Sequence, residues 1–317
     1  MDHNGKTAPT PGPFALPRGT SDPRLDPAVL LAPSPFAKTA RRFLGNSTFL
    51  IAGTIFGLIV LMALLAPVLA PGDPYVQNLG NRLVPPAWYD AGSWAHAFGT
   101  DGMGRDYLTR VMYGAQVSLM IGVSSALISG IIGSLLGVTA GYFGGRVDMA
   151  ISFIITTRLS LPVILVALAI VAFVGASLTL VIVVLGLLLW DRYAVVMRSA
   201  TMQARSMDYV AAASAIGAST PRLVFSEIMP NIVNNLIIVA TFEVANAILL
   251  EAALSFLGLG VQPPTPSWGL MIAEGRDYLL FDPWVIVIPG LALSILVLSV
   301  NMLGDGLRDI SAPENRN

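Results

Sequence analysis

The first candidates for chemistry are Arg158, Glu243 and Glu251, charged side chains that lie within mostly apolar stretches. A charge at the centre of a bilayer costs about 2.5–3.5 kcal/mol on insertion scales, so such residues usually face a polar cavity or a partner group. Glu251 is near the end of its apolar stretch, and we expect its side chain to extend toward the membrane surface. Arg158 and Glu243 are candidates to line a path for a polar substrate.

Two amides extend the polar side of the stretch that carries Glu243. Asn246 follows Glu243 by three residues, so both side chains share one helix face, and Asn235 extends the same side. Two interpretations stay open. Either Arg158, Asn235, Glu243 and Asn246 line a translocation path, or Glu243 makes a hydrogen bond or salt bridge between helices, for example with Arg158.

Several other kinds of site are excluded by composition. The chain has no cysteine, which rules out disulfides, thiolate metal sites and cysteine nucleophiles. Its two histidines, His3 and His96, are far apart, so we expect no histidine metal cluster. Gly5-Lys6-Thr7 resembles the end of a phosphate-binding loop, but that motif requires a glycine five residues before Gly5. We therefore expect no catalytic site, metal or cofactor in this chain, and any nucleotide hydrolysis to belong to a partner.

The composition itself indicates a membrane protein. The 317 residues are 55% hydrophobic and 12% charged, with a mean hydropathy of +0.72. Soluble domains carry about 25% charged residues, so an ordinary soluble enzyme and a disordered chain are both excluded. The net charge of −1 gives no attraction to nucleic acid, which we exclude as a partner.

Six stretches are long and apolar enough to cross about 30 Å of hydrocarbon, which takes about 20 residues. They cover 47–70, 116–141, 150–174, 178–196, 231–254 and 284–303. The sequence thus predicts an all-α membrane protein with six transmembrane helices. The predicted organisation is a partly disordered Pro-rich segment 1–46, a six-helix domain 47–305 with an external loop 71–113 and an internal loop 198–230, and a short tail 306–317.

The distribution of cations predicts the orientation. Six spans place both termini on one side, and 13 of the 18 Lys and Arg residues flank that side. Four flank the other side, and Arg158 lies within a span. Because cytoplasmic loops are enriched in Lys and Arg, both termini and the loop 198–230 are predicted to be cytoplasmic.

The first half of the loop 198–230 predicts a short helix. Asp208 is expected to cap an alanine-rich helix over 209–216, since alanine has the highest helix propensity. Gly217 suits the end of that helix. An irregular connecting loop does not require so many helix-forming alanines, so the first half of the loop is predicted to be an ordered helix.

The second half predicts another short helix. Ser219 or Thr220, followed by Pro221, suits a cap and first turn, with a helix over 222–228. Pro230 is expected to end or kink that helix before the fifth span. Two short helices joined by a glycine predict a compact knob below the membrane.

At this loop the chain resembles the permeases of bacterial ABC importers, which carry a loop of the form EAA-xxx-G-x9-I-x-L-P. The chain has Ala211-Ala212-Ala213, Gly217 and Met229-Pro230 at the family's spacing, with Ala211 in place of Glu and Met229 in place of Leu. In the family this loop is the coupling helix that docks in a cleft of the ATPase subunit. The resemblance implies that the ATPase-coupling residues are Asp208, Tyr209, Ala212, Ala213, Gly217, Ala218, Arg222 and Pro230.

Four further stretches resemble the dipeptide/oligopeptide/nickel branch of these permeases, in the second of its two permease types. They are FGTDGMGRD (98–106), AGYFGGRVD (140–148), EAALSFLGLGVQPPTPSWG (251–269) and NMLGDGLRD (301–309), in the family's order. The resemblance implies the type I ABC importer (MetI-like) permease fold and a place in the bacterial inner membrane. It implies half of a translocation path for peptides or a related small solute.

The resemblance also implies the partners. These are a second homologous permease subunit in a heterodimer, two ABC ATPase subunits that bind ATP and Mg, an extracytoplasmic substrate-binding protein and the lipid bilayer. The residues alone leave open a stand-alone channel or secondary transporter, with Arg158 and Glu243 as an ion relay. An intramembrane enzyme is disfavoured, because no cysteine, histidine pair or Ser/Lys dyad lies within the membrane stretches.

The first external loop holds Asp101, Arg105 and Asp106 in a glycine-rich setting. A metal site is conceivable there, but the spacing of an EF-hand is absent. We expect this loop to cap the second span and to offer a surface to a binding protein.

Two patterns concern packing. Gly133, Gly137 and Gly141 recur every fourth residue on the second span, which predicts close approach of another helix. Trp268 and Trp284 suit the interface between membrane and water, where amphipathic rings concentrate.

Overall fold

A computed structural model describes residues 45–311 of the protein, and the regular elements among them are helices, without a β-strand. The expectations for residues 1–44, including the Gly5-Lys6-Thr7 motif, and for 312–317 lie outside the described residues. The helices are α1 (Ser47–Leu69), α2 (Tyr107–Phe143), α3 (Gly145–Leu159), α4 (Val163–Val174), α5 (Leu178–Leu188), α6 (Trp190–Arg205), α7 (Asp208–Ala215), α8 (Thr220–Arg222), α9 (Met229–Phe256), α10 (Trp268–Gly275) and α11 (Trp284–Ser311). The predicted all-α class is confirmed.

Five helical segments among the described residues are long and apolar enough to cross a membrane. They are Ser47–Leu69, Tyr107–Phe143, Leu178–Arg205, Thr220–Phe256 and Trp284–Ser311. Helices α3 and α4 pass the same test only together, and the pair is bent by 79° at its break. Counting that pair as one span gives the six that the sequence predicts.

The third predicted span is broken in its middle. Helix α3 ends at Leu159, and the backbone at Pro162 is extended, with φ −63° and ψ 117°. Proline lacks the amide hydrogen that a helix needs and disfavours helical geometry at the preceding residue, Leu161. The 12 residues of α4 extend only about 18 Å, so α4 alone is shorter than the hydrocarbon core.

Several helices exceed their predicted bounds, and α2 and α11 are two of them. Helix α2 begins at Tyr107 rather than at 116, because the Asp106 carboxylate caps it by accepting the amide of Thr109 at 2.8 Å. The external loop therefore ends at Asp106, and the expectation that this loop caps the second span is confirmed. Helix α11 runs to Ser311, so residues 306–311 of the predicted tail are helical.

The glycine stripe on α2 packs against α6, as the sequence predicts. A Cβ atom on Gly133 would lie 2.3 Å from the carbonyl oxygen of Trp190, and one on Gly137 would lie 2.5 Å from that of Ala194. One on Gly141 would lie 2.6 Å from the carbonyl oxygen of Arg198. Both helices advance four residues from one contact to the next, so the two backbones run side by side over two turns.

The two tryptophans are buried rather than interfacial. Trp268 is fully buried, and its Nε1 donates to the carbonyl oxygen of Val111 at 2.9 Å. Trp284 is 7% exposed and belongs to the same apolar cluster. The expectation of interfacial tryptophans is wrong because helix α10 folds back against α2, α9 and α11 and buries them.

Glu251 is also buried, which contradicts the expectation that it extends to the surface. Its side chain is fully buried, and Oε1 accepts hydrogen bonds from the hydroxyls of Ser255 at 2.7 Å and Ser267 at 2.9 Å. Ser267 caps α10. The carboxyl group therefore ties the end of α9 to the start of α10. This role is set by the fold of the segment 257–283 between α9 and α11, which we call the second external segment after its predicted side.

Candidate functional site

The internal loop folds into a compact element between α6 and α9, which we call the knob (residues 206–222). Helix α7 follows α6 after a short turn, with Met207 in an extended conformation at φ −78° and ψ 146°. Met207, not Asp208, is the residue before the first helical turn. The prediction that Asp208 caps the helix is wrong: its side chain makes no capping hydrogen bond, although its charge in the first turn suits the helix dipole.

The end of α7 follows the sequence expectation. Gly217 has φ +88°, a left-handed conformation that side chains other than hydrogen rarely adopt. The amide of Gly217 donates to the carbonyl of Ser214 at 3.0 Å, and that of Ala218 donates to the carbonyl of Ala213 at 3.1 Å. These two bonds form a Schellman motif, which terminates the helix and turns the chain sharply.

The knob has an inner and an outer face. Val210 is buried with Leu223 and Met197, and Ala213 and Ala218 pack against this cluster. The inner face thus fixes the knob to α6 and, through Val138, to α2. The remaining predicted coupling residues are exposed: Asp208, Tyr209, Ala212, Gly217, Arg222 and Pro230.

One exposed residue of the outer face was missed by sequence reasoning. Ile216 is 87% exposed at the end of α7, and Tyr209 on the same helix is 41% exposed. Exposure of a large apolar side chain to water is unfavourable, and exposed apolar patches with polar surroundings mark interaction sites. The signal was present in the sequence as a large apolar residue between the alanine-rich helix and Gly217.

The second half of the loop does not form a separate helix ending at Pro230. Residues Leu223–Ile228 form a π-helix between α8 and α9, so one continuous helical segment runs from Thr220 to Phe256. Pro230 has no amide hydrogen, and its ring clashes with the carbonyl four residues earlier, so a regular α-helix is disfavoured here. The wider π turn accommodates it, and the knob continues directly into the helix that carries Glu243.

Glu243 is the centre of a polar cluster on α9. Its side chain is 1% exposed, with Oε1 3.3 Å from Nη1 of Arg192 and Oε2 accepting from Nδ2 of Asn246 at 3.1 Å. The suggested salt bridge to Arg158 is not formed. Arg192 on α6 is instead the partner, a residue that the sequence analysis did not single out.

Arg158 belongs to a neighbouring cluster at the junction of α5 and α6. Its Nη2 donates to the carbonyl of Leu188, and its Nη1 is 4.0 Å from the Asp191 carboxylate. Asp191 was also missed, because only the fold brings residues 158 and 191 together. Asn235 lies apart from both clusters, exposed on α9. The structure thus unites Glu243 with Asn246 but separates them from Arg158 and Asn235.

A buried ion-pair cluster links two segments that are predicted to be external, the loop before α2 and helix α10. Asp101 accepts from Nε of Arg105 at 2.6 Å and from Nη1 of Arg110, and Arg110 also donates to Glu274 on α10 at 2.8 Å. Asp101 is 3% exposed and Arg110 is fully buried. Burial acts to raise the pKa of Asp101, but Arg110, two backbone amides and Arg105 outweigh it, so the pKa is lowered.

This lowered pKa gives the external cluster a defined acid sensitivity. Because the pKa of Asp101 in the folded protein is below its unfolded value of about 3.9, its contribution to stability is complete above that value. The contribution is lost as the pH falls through the folded pKa. At pH 7 Asp101→Asn should remove this contribution to stability. Breaking a buried ion pair costs about 3–5 kcal/mol, and we expect a loss at the lower end of that range because Glu274 still neutralises Arg110.

Thermal unfolding of the purified chain between pH 3 and pH 7, followed by tryptophan fluorescence, measures this effect. The Asp101→Asn variant should show a lower midpoint at pH 7 and a flatter dependence on pH below 4. Asp90→Asn, at an exposed position of the same loop, is the matched control. Equal midpoints for Asp101→Asn and the unaltered chain would disprove the role of the cluster.

Comparison with known proteins adds to these observations. The model of the family described as binding-protein-dependent transport system inner membrane component matches residues 133–317, more than half of the chain. The model of the N-terminal TM domain of oligopeptide transport permease C matches residues 34–86. The first match contains the knob and both intramembrane polar clusters, and the second contains α1.

Relatives match nearly the whole chain. The di/tripeptide transport system permease protein of Pseudomonas aeruginosa is 43% identical over 296 residues, which are 93% of this chain and 97% of that protein. The dipeptide transport system permease protein of Haemophilus influenzae is 40% identical over 263 residues, 83% of this chain and 89% of that protein.

Solved structures agree in fold. A chain of the MetNI methionine ABC transporter in an inward-facing conformation matches with a TM-score of 0.53 at 18% identity, covering 64% of this chain and 97% of that one. At this identity the likeness concerns the fold alone, which is that of type I ABC importer permeases. The family match, the relatives and the fold agree with one another: the chain belongs to the binding-protein-dependent transport system inner membrane components and is a multi-pass permease subunit of an ABC importer.

Proposed function

We propose that the chain forms half of the translocation path of an ATP-driven peptide importer. The other half comes from a second, similar permease in a heterodimer, and an extracytoplasmic binding protein delivers the substrate. Two ABC ATPase subunits bind ATP and Mg and hydrolyse the nucleotide, so this chain itself carries no catalytic site. Peptide is the substrate class in the names of the relatives from Pseudomonas aeruginosa and Haemophilus influenzae.

The observation that carries this proposal is the knob. Its inner face is packed against α2 and α6, while its outer face presents Tyr209 and the 87% exposed Ile216 to solvent. An element that is packed against its own chain on one face and exposed on the other is suited to docking into a cleft of another subunit. Docking of the knob on the ATPase is therefore the coupling step.

Movement of the knob has a direct route into the membrane. The segment Thr220–Phe256 is continuous from the knob to Glu243, and the cluster around Val210 links the knob to α6, which carries Arg192. When ATP closes the ATPase dimer, the knobs of the two permeases are displaced. The helices then move as packed units and open the path outward, which is alternating access by rigid-body motion.

The orientation belongs to the same proposal. The knob and both termini lie in the cytoplasm, which the excess of cations on that side supports. This orientation requires the bent pair α3 and α4 to count as one span. The external cluster of Asp101, Arg110 and Glu274 then faces the binding protein.

Glu243, Arg192 and Asn246 line the path in this proposal. The carboxylate of Glu243 is buried in the single chain, while Arg192 is 62% exposed, so the pair lies at the edge of the packed interior. Arg158 stabilises the junction of α5 and α6 through Leu188 and Asp191, rather than acting on the substrate.

A charge-selectivity measurement tests whether Glu243 lines the path. Removing its charge in Glu243→Gln should reduce uptake of a lysine-containing tripeptide several-fold more than uptake of a glutamate-containing one, because the cationic peptide loses an attractive group. Arg192→Gln should shift the ratio in the opposite direction, because the anionic peptide loses an attractive group. Equal loss for both peptides would mean that Glu243 only packs.

The complete transporter tests the function itself. Vesicles that contain both permeases and both ATPase subunits, supplied with binding protein and ATP, should accumulate labelled tripeptide. Vesicles that contain this chain alone should not accumulate it under any ion gradient. Gradient-driven transport by the single chain would instead establish a stand-alone channel or secondary transporter.

A further inference from the structure

A groove of about 270 Å³ lies between the last turns of α2 and the segment that leads from the knob into α9. We call it the inner groove. Its walls include Leu135, Tyr142 and Phe143 on one side and Pro221, Val224 and Phe225 on the other. Among residues 45–311, those that line it include no charged side chain. The groove is smaller than the about 300–1,000 Å³ typical of sites for drug-sized ligands, which suits a narrow apolar occupant.

The position of the groove along α2 places it at the border of the membrane. Helix α2 has 37 residues and is about 55 Å long, much longer than the about 30 Å hydrocarbon core. After Arg110 the helix carries no charge through Tyr142 and Phe143, and the next charged residue is Arg146, three positions beyond the helix end. The groove therefore opens where acyl chains meet headgroups, with Leu135 62%, Phe143 58% and Phe225 69% exposed.

Two arginines lie next to residues that line the groove, Arg205 in space and Arg222 in the chain. The guanidinium carbon of Arg205 lies 5.6 Å from the ring centre of Tyr142, and Arg222 directly follows Pro221. Both arginines are exposed, and within the described part of the chain neither forms an ion pair with a carboxylate. Arginine binds phosphate through parallel hydrogen bonds, and cations beside the cytoplasmic leaflet attract anionic lipids.

We propose that the inner groove binds one anionic phospholipid of the cytoplasmic leaflet. One acyl chain lies between Phe143 and Phe225, and the headgroup phosphate contacts Arg205 and Arg222. The proposal rests on the cytoplasmic orientation of the knob given above. The charge of the two arginines selects an anionic lipid over a neutral one, and the apolar walls select an acyl chain over a soluble anion.

The occupant would contact the coupling element itself. The π-helix Leu223–Ile228, which joins the knob to α9, supplies Val224 and Phe225 to the groove. π-Helical turns in longer helices occur frequently at functional sites. A lipid that fills the groove therefore supports the wider turn through which motion of the knob passes to Glu243.

The test uses the complete transporter in phosphatidylcholine vesicles that contain a trace of photoactivatable lipid, either phosphatidylglycerol or phosphatidylcholine, with the reactive group in the acyl chain. Peptides that contain Tyr142–Phe143 and Val224–Phe225 should be labelled several-fold more by phosphatidylglycerol. The double variant Arg205→Gln/Arg222→Gln should reduce this labelling to the phosphatidylcholine level. Arg205→Lys/Arg222→Lys should keep most of it, and Arg308→Gln, at an exposed cation of α11, should leave it unchanged.

Two results would overturn the proposal. Equal labelling by the two lipids would mean a groove without headgroup selectivity, and unlabelled groove peptides would mean that another subunit covers the groove. ATP-driven uptake in the same vesicles reports separately on the transport function. Intact uptake with unselective labelling refutes only the lipid site, whereas absent uptake in the unaltered transporter refutes the proposed function.

Discussion

Gly137→Leu is expected to prevent the chain from reaching its folded state. A Cβ atom at this position would lie 2.5 Å from the carbonyl oxygen of Ala194 and 2.9 Å from the amide nitrogen of Arg198. Both are backbone atoms of α6 and cannot rotate away, so α2 and α6 would have to separate. Overpacking in a core usually costs about 1–3 kcal/mol, and we expect more than about 3 kcal/mol here because two helix backbones must move.

Fluorescence-detected size exclusion and thermal unfolding of the purified chain measure this loss. Gly57→Leu is the matched control, since a Cβ on Gly57 of α1 would have no atom within 4 Å. The control should retain a monodisperse profile and a midpoint close to that of the unaltered chain. A Gly137→Leu variant with the same profile and midpoint as the control would show that α2 and α6 do not pack as described.

Ile216→Asp is expected to abolish ATP-driven uptake without harming the fold. The side chain is 87% exposed, so the change should alter the free energy of unfolding by less than about 0.5 kcal/mol. In the assembled transporter the same position is buried against the ATPase in the proposed coupling step, and an unpaired carboxylate there is costly. A loss of about 2.7 kcal/mol of interaction corresponds to a hundredfold slower uptake.

The comparison that isolates this effect is Ile216→Leu, which keeps an apolar side chain of the same size. Uptake and the midpoint of thermal unfolding are measured for both variants in the same vesicles and detergent. Ile216→Leu should retain most of the uptake, and both variants should unfold near the temperature of the unaltered chain. Normal uptake with Ile216→Asp would remove Ile216 from the docking surface.

Local features of this protein are well predicted by its sequence. Hydropathy gives the five long apolar helices, the glycine repeat gives the α2–α6 contact, and Gly217 gives the end of α7. Each of these depends on a short window of residues. The helix bounds are less accurate, because the start of α2 is set by the Asp106 cap and by burial beneath α10 rather than by apolarity.

Pairings between distant residues are not predictable in this way. Glu243 could have met any cation of the other helices, and the fold brings it to Arg192 rather than to Arg158. Glu251 is buried because α10 folds back and supplies Ser267, a contact over 16 residues that hydropathy does not encode. Asp208 was predicted as a cap from its residue type, yet the backbone places Met207 there.

Docking of the knob on the ATPase is tested most directly by cross-linking from position 216. The chain has no cysteine, so Ile216→Cys provides a single thiol for a photoactivatable maleimide. Leu280→Cys, at a residue that is also 87% exposed but belongs to the second external segment, is the control. In the assembled transporter, Ile216→Cys should cross-link to the ATPase subunit and Leu280→Cys should not. An Ile216→Cys variant that never cross-links to the ATPase, or a Leu280→Cys variant that does, would contradict coupling through the knob.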